Sequence, residues 1–274
     1  MPNMPRALVI RTAGTNCDAE LCRAFMLAGA EPDLVHLDAL IKDPARIDAF
    51  DLIGFPGGFS YGDDVASGRL FALRVRERLY PALRAAIDRA VPMIGVCNGF
   101  QVLVQVGLLP GPPPGETWPD DEPPAQSLSL TENAGSRFVD DWVGVQVERS
   151  TVCVWTRDLT NAYDTTIERD ILRLPCAHAE GRLVADSPDT VRALEHAGQV
   201  ALRYTDNFNG SVGAIAGVTD ASGRILGLMP HPERYLDWTR HPYWTRLETK
   251  RLDRDPPGLL MFRSAVEAAT SVTT

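Results

Sequence analysis

The sequence predicts an α/β protein built on a mostly parallel sheet with helices on both faces. Three observations predict it. In the first half, apolar runs of strand length alternate with segments of helical period, the order that feeds parallel strands through crossover helices. Two of those helical segments stop at Gly29 and Gly107, and glycine ends helices by adopting the left-handed conformation. The chain has 274 residues, 45% hydrophobic and 23% charged, which is enough to bury a sizeable core.

Residues 7–10 form the first strand, 18–28 an amphipathic helix, 34–37 a second strand and 52–55 a third. A long helical stretch over 70–89 follows. Pro81 lies inside it and starts a new turn or a kink, because proline has no amide hydrogen for an unbroken helix. Residues 92–96 are a buried strand and 100–106 the helix after it. Between 110 and 124 stand Pro110, Pro112, Pro113, Pro114, Pro119, Pro123 and Pro124, which exclude regular helix or central strand and mark a surface excursion. Short β-like runs at 126–130, 142–148 and 151–155 are expected to extend the same sheet, giving one domain over 1–274. Residues 213–218 and 224–229 flank Asp220-Ala221-Ser222-Gly223, which is hairpin chemistry. An irregular, tryptophan-rich extension over 235–257 precedes a closing amphipathic helix at 258–268.

A net charge of -9 argues against a nucleic-acid surface and favours small-molecule chemistry. No run approaches the roughly 18 apolar residues that a spanning helix needs, and no basic-then-apolar leader precedes the first strand. A cytoplasmic location is expected. The five cysteines (Cys17, Cys22, Cys97, Cys153 and Cys176) are odd in number and scattered, so they are expected to be reduced. There is no Cys-x-x-Cys pair, and metal-free chemistry is expected.

Gly95-Val96-Cys97-Asn98-Gly99 lies between an apolar strand and an apolar helix, the layout of a nucleophile elbow with cysteine in place of serine. Small residues permit the sharp turn, and the helix N-terminus favours negative charge on the Cys97 sulfur. The plainer reading is a small buried apolar residue, which the two flanking glycines disfavour. Gly58-Phe59-Ser60-Tyr61-Gly62 also satisfies G-x-S-x-G, but no apolar helix follows to hold Ser60 down. Residues 56–62 are equally suited to offer amide N–H groups to an oxyanion or to be a plain glycine-rich turn. His231-Pro232-Glu233 follows a strand-like run at 225–229. In an extended segment residues i and i+2 face the same way, so Glu233 can hold one imidazole nitrogen while the other faces the thiol.

With these pieces the sequence resembles the class I, triad-type glutamine amidotransferases. The matching runs are Gly14 to Asp18, Phe55 to Asp63, Gly95 to Gln101, Asn133 to Phe138, Leu174 to Arg182, Asn207 to Ser211 and Met229 to Arg234. The second and fifth of these point to the branch that serves phosphoribosylformylglycinamidine synthase. The resemblance implies a flavodoxin-like fold, a catalytic triad of Cys97, His231 and Glu233, an oxyanion hole from the amides of Gly58 and Asn98, and Gly57 and Gln101 as substrate-binding residues. It also implies hydrolysis of L-glutamine through a Cys97 thioester. Ammonia then passes to a large synthetase subunit, where ATP and magnesium drive conversion of formylglycinamide ribonucleotide to its amidine; a small bridging subunit often joins the two. No cofactor or P-loop is expected in this chain. The sequence departs from the family at Ala13, where proline is common, at Ala179, where glycine is usual, and in the two enlarged segments. The alternatives are service to a different synthetase, a serine esterase using Ser60, or a binding role without catalysis.

Overall fold

The computed structural model describes residues 4–113, 115–163, 170–248 and 252–271. Pro114 of the proline-rich segment and residues 249–251 of the C-terminal extension lie outside the described residues. The strands are β1 (Arg6–Arg11), β2 (Glu31–His36), β3 (Leu52–Phe55), β4 (Met93–Val96), β5 (Leu128–Thr131), β6 (Val139–Val147), β7 (Arg173–His178), β8 (Arg182–Ala185), β9 (Val200–Tyr204), β10 (Ile215–Thr219) and β11 (Ile225–Leu228). The helices are α1 (Asp18–Ala28), α2 (Leu37–Lys42), α3 (Arg69–Arg78), α4 (Tyr80–Asp88), α5 (Asn98–Val106), α6 (Arg157–Ala162), α7 (Pro188–His196) and α8 (Pro257–Thr270).

Nine strands form one sheet in the order β2-β1-β3-β4-β11-β10-β9-β6-β7. The half from β2 to β11 is parallel throughout, with the strand order of flavodoxin-like sheets. From β11 outward the pairings are antiparallel. The central strands read Leu-Ile-Gly-Phe, Met-Ile-Gly-Val and Ile-Leu-Gly-Leu, and every one of these residues is buried. Such unbroken apolar runs are what a strand covered on both faces requires. β2 is the edge, partly exposed, and tolerates Pro32 there.

Alternation along β3 shows the two layers. Gly54 faces Leu21 and Phe25 of α1, where Phe25 meets Phe262 of α8 edge-on at 5.3 Å. Phe55 points the other way, to Phe71 of α3 at 6.1 Å.

Several boundaries differ from the expected ones. β2 starts at Glu31 rather than 34, and Leu37 opens α2 because the His36 ring accepts the Asp38 N–H at 3.2 Å as an N-cap. The long helix is two, α3 and α4, with Pro81 in the first turn of α4. Residues 126–130 do not extend the main sheet; β5 pairs with β8 in a separate two-stranded sheet. Residues 151–155 form no strand. Their amides reach the turn carbonyls of Gly198 and Gly223 instead (Val152 3.0 Å, Val154 2.9 Å), and Cys153 and Trp155 are buried as plugs. The hairpin of β10 and β11 forms as expected.

Gly99 approaches the β3 backbone so closely that a Cβ would lie 1.9 Å from the Phe55 carbonyl oxygen. Gly99→Ala is expected to destabilise the protein by about 2 kcal/mol or more through overpacking. Gly135→Ala, with open space around it, is expected to stay within about 0.5 kcal/mol of wild type. Urea unfolding of both variants checks this.

Candidate active site

Between the last residue of β4 and the first of α5 stands Cys97 alone, with φ 51 and ψ -108. That left-handed φ is strained for a side chain with a Cβ. The neighbours hold it there: its N–H donates to the Leu228 carbonyl at 2.8 Å and its own carbonyl accepts the Gln101 N–H at 3.1 Å. Gly95 and Gly99 meet without side chains beneath it. The elbow expected from the sequence is therefore present. Cys97 is 7% exposed, with its Sγ 3.8 Å from the Ala177 carbonyl at the bottom of a cleft of about 600 Å³.

His231 follows β11, and its N–H donates to the Pro175 carbonyl of β7 at 2.7 Å. The pair with Glu233 forms by a different route from the one expected. Residues Pro232–Arg234 are a 3-10 turn, not an extended segment, so the chain curls and folds the carboxylate back onto the ring. Nδ1 of His231 lies 2.6 Å from Oε1 of Glu233, and both side chains are at most 2% exposed. An ionised carboxylate only accepts, so Nδ1 carries the hydrogen and Nε2 is left for a thiol. Burial alone would lower the His231 pKa. The Glu233 charge, with the neighbouring thiols of Cys17 and Cys97, outweighs it and holds His231 well above the usual range.

Cys17 is a second thiol beside that ring, which the sequence did not single out as a site residue. Its Sγ donates to Asn16 Oδ1 at 3.2 Å and accepts from Arg234 Nη2 at 3.1 Å. Burial pushes this thiol up, and the neighbouring His231 offsets only part of that. Donor atoms of Cys17, His231 and Glu233 lie within 4.8 Å of one another. They do not make a ready cation cage, because Nδ1 and Oε1 are spent on each other. Burial pushes Cys22 and Cys153 to about 11 and Cys176 to about 12, far from a nucleophile's range.

Gly58 pairs with Thr15 in an antiparallel bridge made through its neighbours, with Phe59 N–H to the Gly14 carbonyl at 3.0 Å and Asn16 N–H to the Gly57 carbonyl at 3.4 Å. In such a pair the middle residue's N–H points away from the bridge, and Gly58 lines the cleft. The Asn98 N–H is one of the free amides of the α5 N-terminus. The Asn98 side chain ties the loop to the helix: Oδ1 accepts the Ser60 N–H at 3.3 Å, and Nδ2 donates to Asp63 at 3.2 Å and Gln101 at 3.0 Å.

Gln101 lines the cleft, with Nε2 donating to the Glu180 carbonyl at 2.7 Å. Gly57 sits behind the wall, where a Cβ would strike the His231 ring at 2.9 Å and Cys17 at 3.2 Å. Ser60 is buried at the start of a 3-10 turn, and its Oγ meets no partner among the described residues. Sequence reasoning also misses Asp63, Phe138 and His178 as cleft-lining residues; all three fall inside the family-like runs, but no local spacing rule marks them.

Residues 4–267 match the model of the CobB/CobQ-like glutamine amidotransferase domain. The chain is 38% identical over 274 residues to phosphoribosylformylglycinamidine synthase subunit PurQ of Dehalococcoides mccartyi, covering 97% of this chain and 98% of that protein. It is 36% identical over 270 residues to the PurQ subunit of Methanopyrus kandleri, covering 96% and 98%. A chain in the solved structure of PurLQS from Thermotoga maritima superimposes with a TM-score of 0.68 at 31% identity, covering 97% of this chain and 99% of that one.

The buried His178 supplies a pH test. Burial, and secondarily the nearby His231, lower its pKa from an ordinary 6.5 to about 4. As pH falls through that window the unfolded chain gains a proton that the folded chain refuses, so stability falls with pH. Wild type is expected to lose on the order of 3 kcal/mol relative to His178→Gln between pH 7 and pH 4, read by urea unfolding at each pH.

Proposed function

This chain belongs to the CobB/CobQ-like glutamine amidotransferase family, and from that premise we propose that it is the glutaminase subunit of a phosphoribosylformylglycinamidine synthase. It takes ammonia from L-glutamine and hands it to a synthetase partner in purine biosynthesis. The observation that carries the chemistry is the buried Glu233–His231 bond beside a strained Cys97 at a helix N-terminus.

The Cys97 sulfur gives its proton to Nε2 of His231 and attacks the carboxamide carbon of glutamine. The carbonyl oxygen becomes an oxyanion held by the N–H groups of Gly58 and Asn98. His231 returns the proton to the nitrogen, the C–N bond breaks, and ammonia leaves a γ-glutamyl thioester on Cys97. Water then loses a proton to His231 and attacks the thioester, and glutamate and the free thiol are regenerated. Glu233 keeps the ring in one tautomer and stabilises its charged form, as the third member of a triad does. Gln101 and Gly57 shape the pocket for the rest of the glutamine.

The ligase half lies in a large partner subunit, which supplies the ATP and magnesium. The complex is completed by a small bridging subunit. This chain works without a cofactor or metal of its own. Among the described residues no helix is long and apolar enough to cross a membrane, and the reading adopted is a cytoplasmic enzyme.

Glutamate release by wild type and by Cys97→Ala, each with and without the large synthetase subunit, tests this. Wild type is expected to be active and strongly stimulated by the partner, and the variant to be inactive with or without it. Glu233→Gln is expected to lose roughly 100-fold or more in kcat, by the logic of triads whose orienting acid is neutralised. Activity indifferent to the partner would assign the chain to another synthetase, and activity in Cys97→Ala would overturn the mechanism.

A further inference from the structure

The mechanism above leaves one imidazole in the cleft unused. His178 ends β7, is 4% exposed, and lines the same cleft as Cys97 and His231. Asn133 fixes its tautomer. The Asn133 amide nitrogen donates to the carbonyls of Arg137 and His178, both at 2.9 Å. Its oxygen therefore faces the other way, where it accepts the Gly181 N–H at 3.2 Å and lies 3.1 Å from His178 Nδ1. An amide oxygen only accepts, so Nδ1 carries the ring hydrogen and Nε2 is a bare lone pair. That Nε2 is buried and meets no donor among the described residues.

The ring cannot turn away. It lies flat on Gly181, where a Cβ would fall 2.2 Å from its Cε1, and it tilts against Phe208 at 5.8 Å between centroids. A buried acceptor without a donor is unfavourable, and a ligand bringing an N–H into the cleft relieves it. The neighbouring His231 selects which N–H: once that ring is protonated, a cationic ammonium beside it is repelled, whereas a neutral amide or ammonia is not.

Resting on the glutaminase reading, we propose that His178 is a second catalytic histidine, whose Nε2 accepts a hydrogen from the nitrogen being transferred, first in the carboxamide and then in released ammonia. His231 supplies the proton that completes the leaving group, and the electron pair of the broken C–N bond stays on nitrogen. His178 only accepts. Because it is neutral at working pH, with a pKa of about 4, it has no proton to add, and the product departs as NH3 rather than ammonium. Only the neutral form keeps the lone pair that the synthetase reaction consumes.

Two substrates separate this role from a structural one. L-Glutamine and L-glutamate γ-methyl ester share the α-groups, the acyl carbon and the Cys97 thioester, but the ester's leaving oxygen carries no N–H. The full chain with its synthetase partner is assayed on both, for wild type, His178→Phe and His178→Gln. The quantity read is the ratio of kcat/KM on glutamine to kcat/KM on ester, which is insensitive to the fraction of folded enzyme. His178→Phe keeps a flat ring on Gly181 but offers no acceptor, and its ratio is expected to fall about 10-fold, the scale of one lost hydrogen bond. His178→Gln restores an acceptor oxygen, and its ratio is expected to return to within about 3-fold of wild type. A ratio in His178→Phe equal to wild type overturns the proposal, as does equal loss in both variants. If wild type itself fails to release glutamate from glutamine while hydrolysing the ester, it is the glutaminase reading that fails.

Discussion

Everything at this site depends on one strained residue. Cys97 holds a left-handed backbone angle that favours glycine, and it does so because the chain must leave a buried parallel strand and enter a helix with no residues to spare. The cost of that conformation, of order 1–3 kcal/mol, is met by packing that glycines alone permit. Gly95 touches the backbone of Gly99, and Gly99 touches the Phe55 carbonyl of the next strand. The same turn places the sulfur above the sheet and aligns the free amides of α5 beside it.

The antiparallel half of the sheet supplies what the elbow lacks. β11 lies parallel to β4 in register, with Leu228 opposite Val96, so the chain leaves β11 beside the elbow, and the residue three positions beyond Leu228 lines the same cleft as Cys97. That residue is His231, anchored by its N–H to β7. A buried carboxylate next to a buried imidazole would be unfavourable singly; paired at 2.6 Å they stabilise each other and fix the tautomer. β7 ends in His178, which brings a second imidazole to the same cleft with the opposite preference. One ring is held ready to carry a proton by Glu233, and the other is kept neutral by burial and by the nearby His231.

The parallel half of the fold is legible in the sequence because its signals are local. Continuous apolar strands, Gly29 and Gly107 at helix ends and the glycine-flanked Cys97 each report a backbone requirement at their own position. The His231–Glu233 pairing is legible too, although a 3-10 turn joins the two residues where an extended segment is expected. The antiparallel extension is harder to read. β6, β7 and β8 mix buried with half-exposed residues where β3 and β4 are buried throughout, and α7 announces itself only by the Ser187 cap and Pro188, a weak signal between less regular stretches. Cys17 and His178 stand within recognisable runs, yet their importance comes from long-range meetings with His231 and Asn133 that no spacing rule encodes.

Two thiols border the His231 ring, and the one at the elbow, Cys97, is the nucleophile we propose. Treating the wild-type protein with the glutamine-like diazoketone 6-diazo-5-oxo-norleucine and mapping the adduct by peptide mass spectrometry tests that assignment most directly. A single adduct on Cys97 is the predicted result. An adduct on Cys17, or on Ser60, would contradict it.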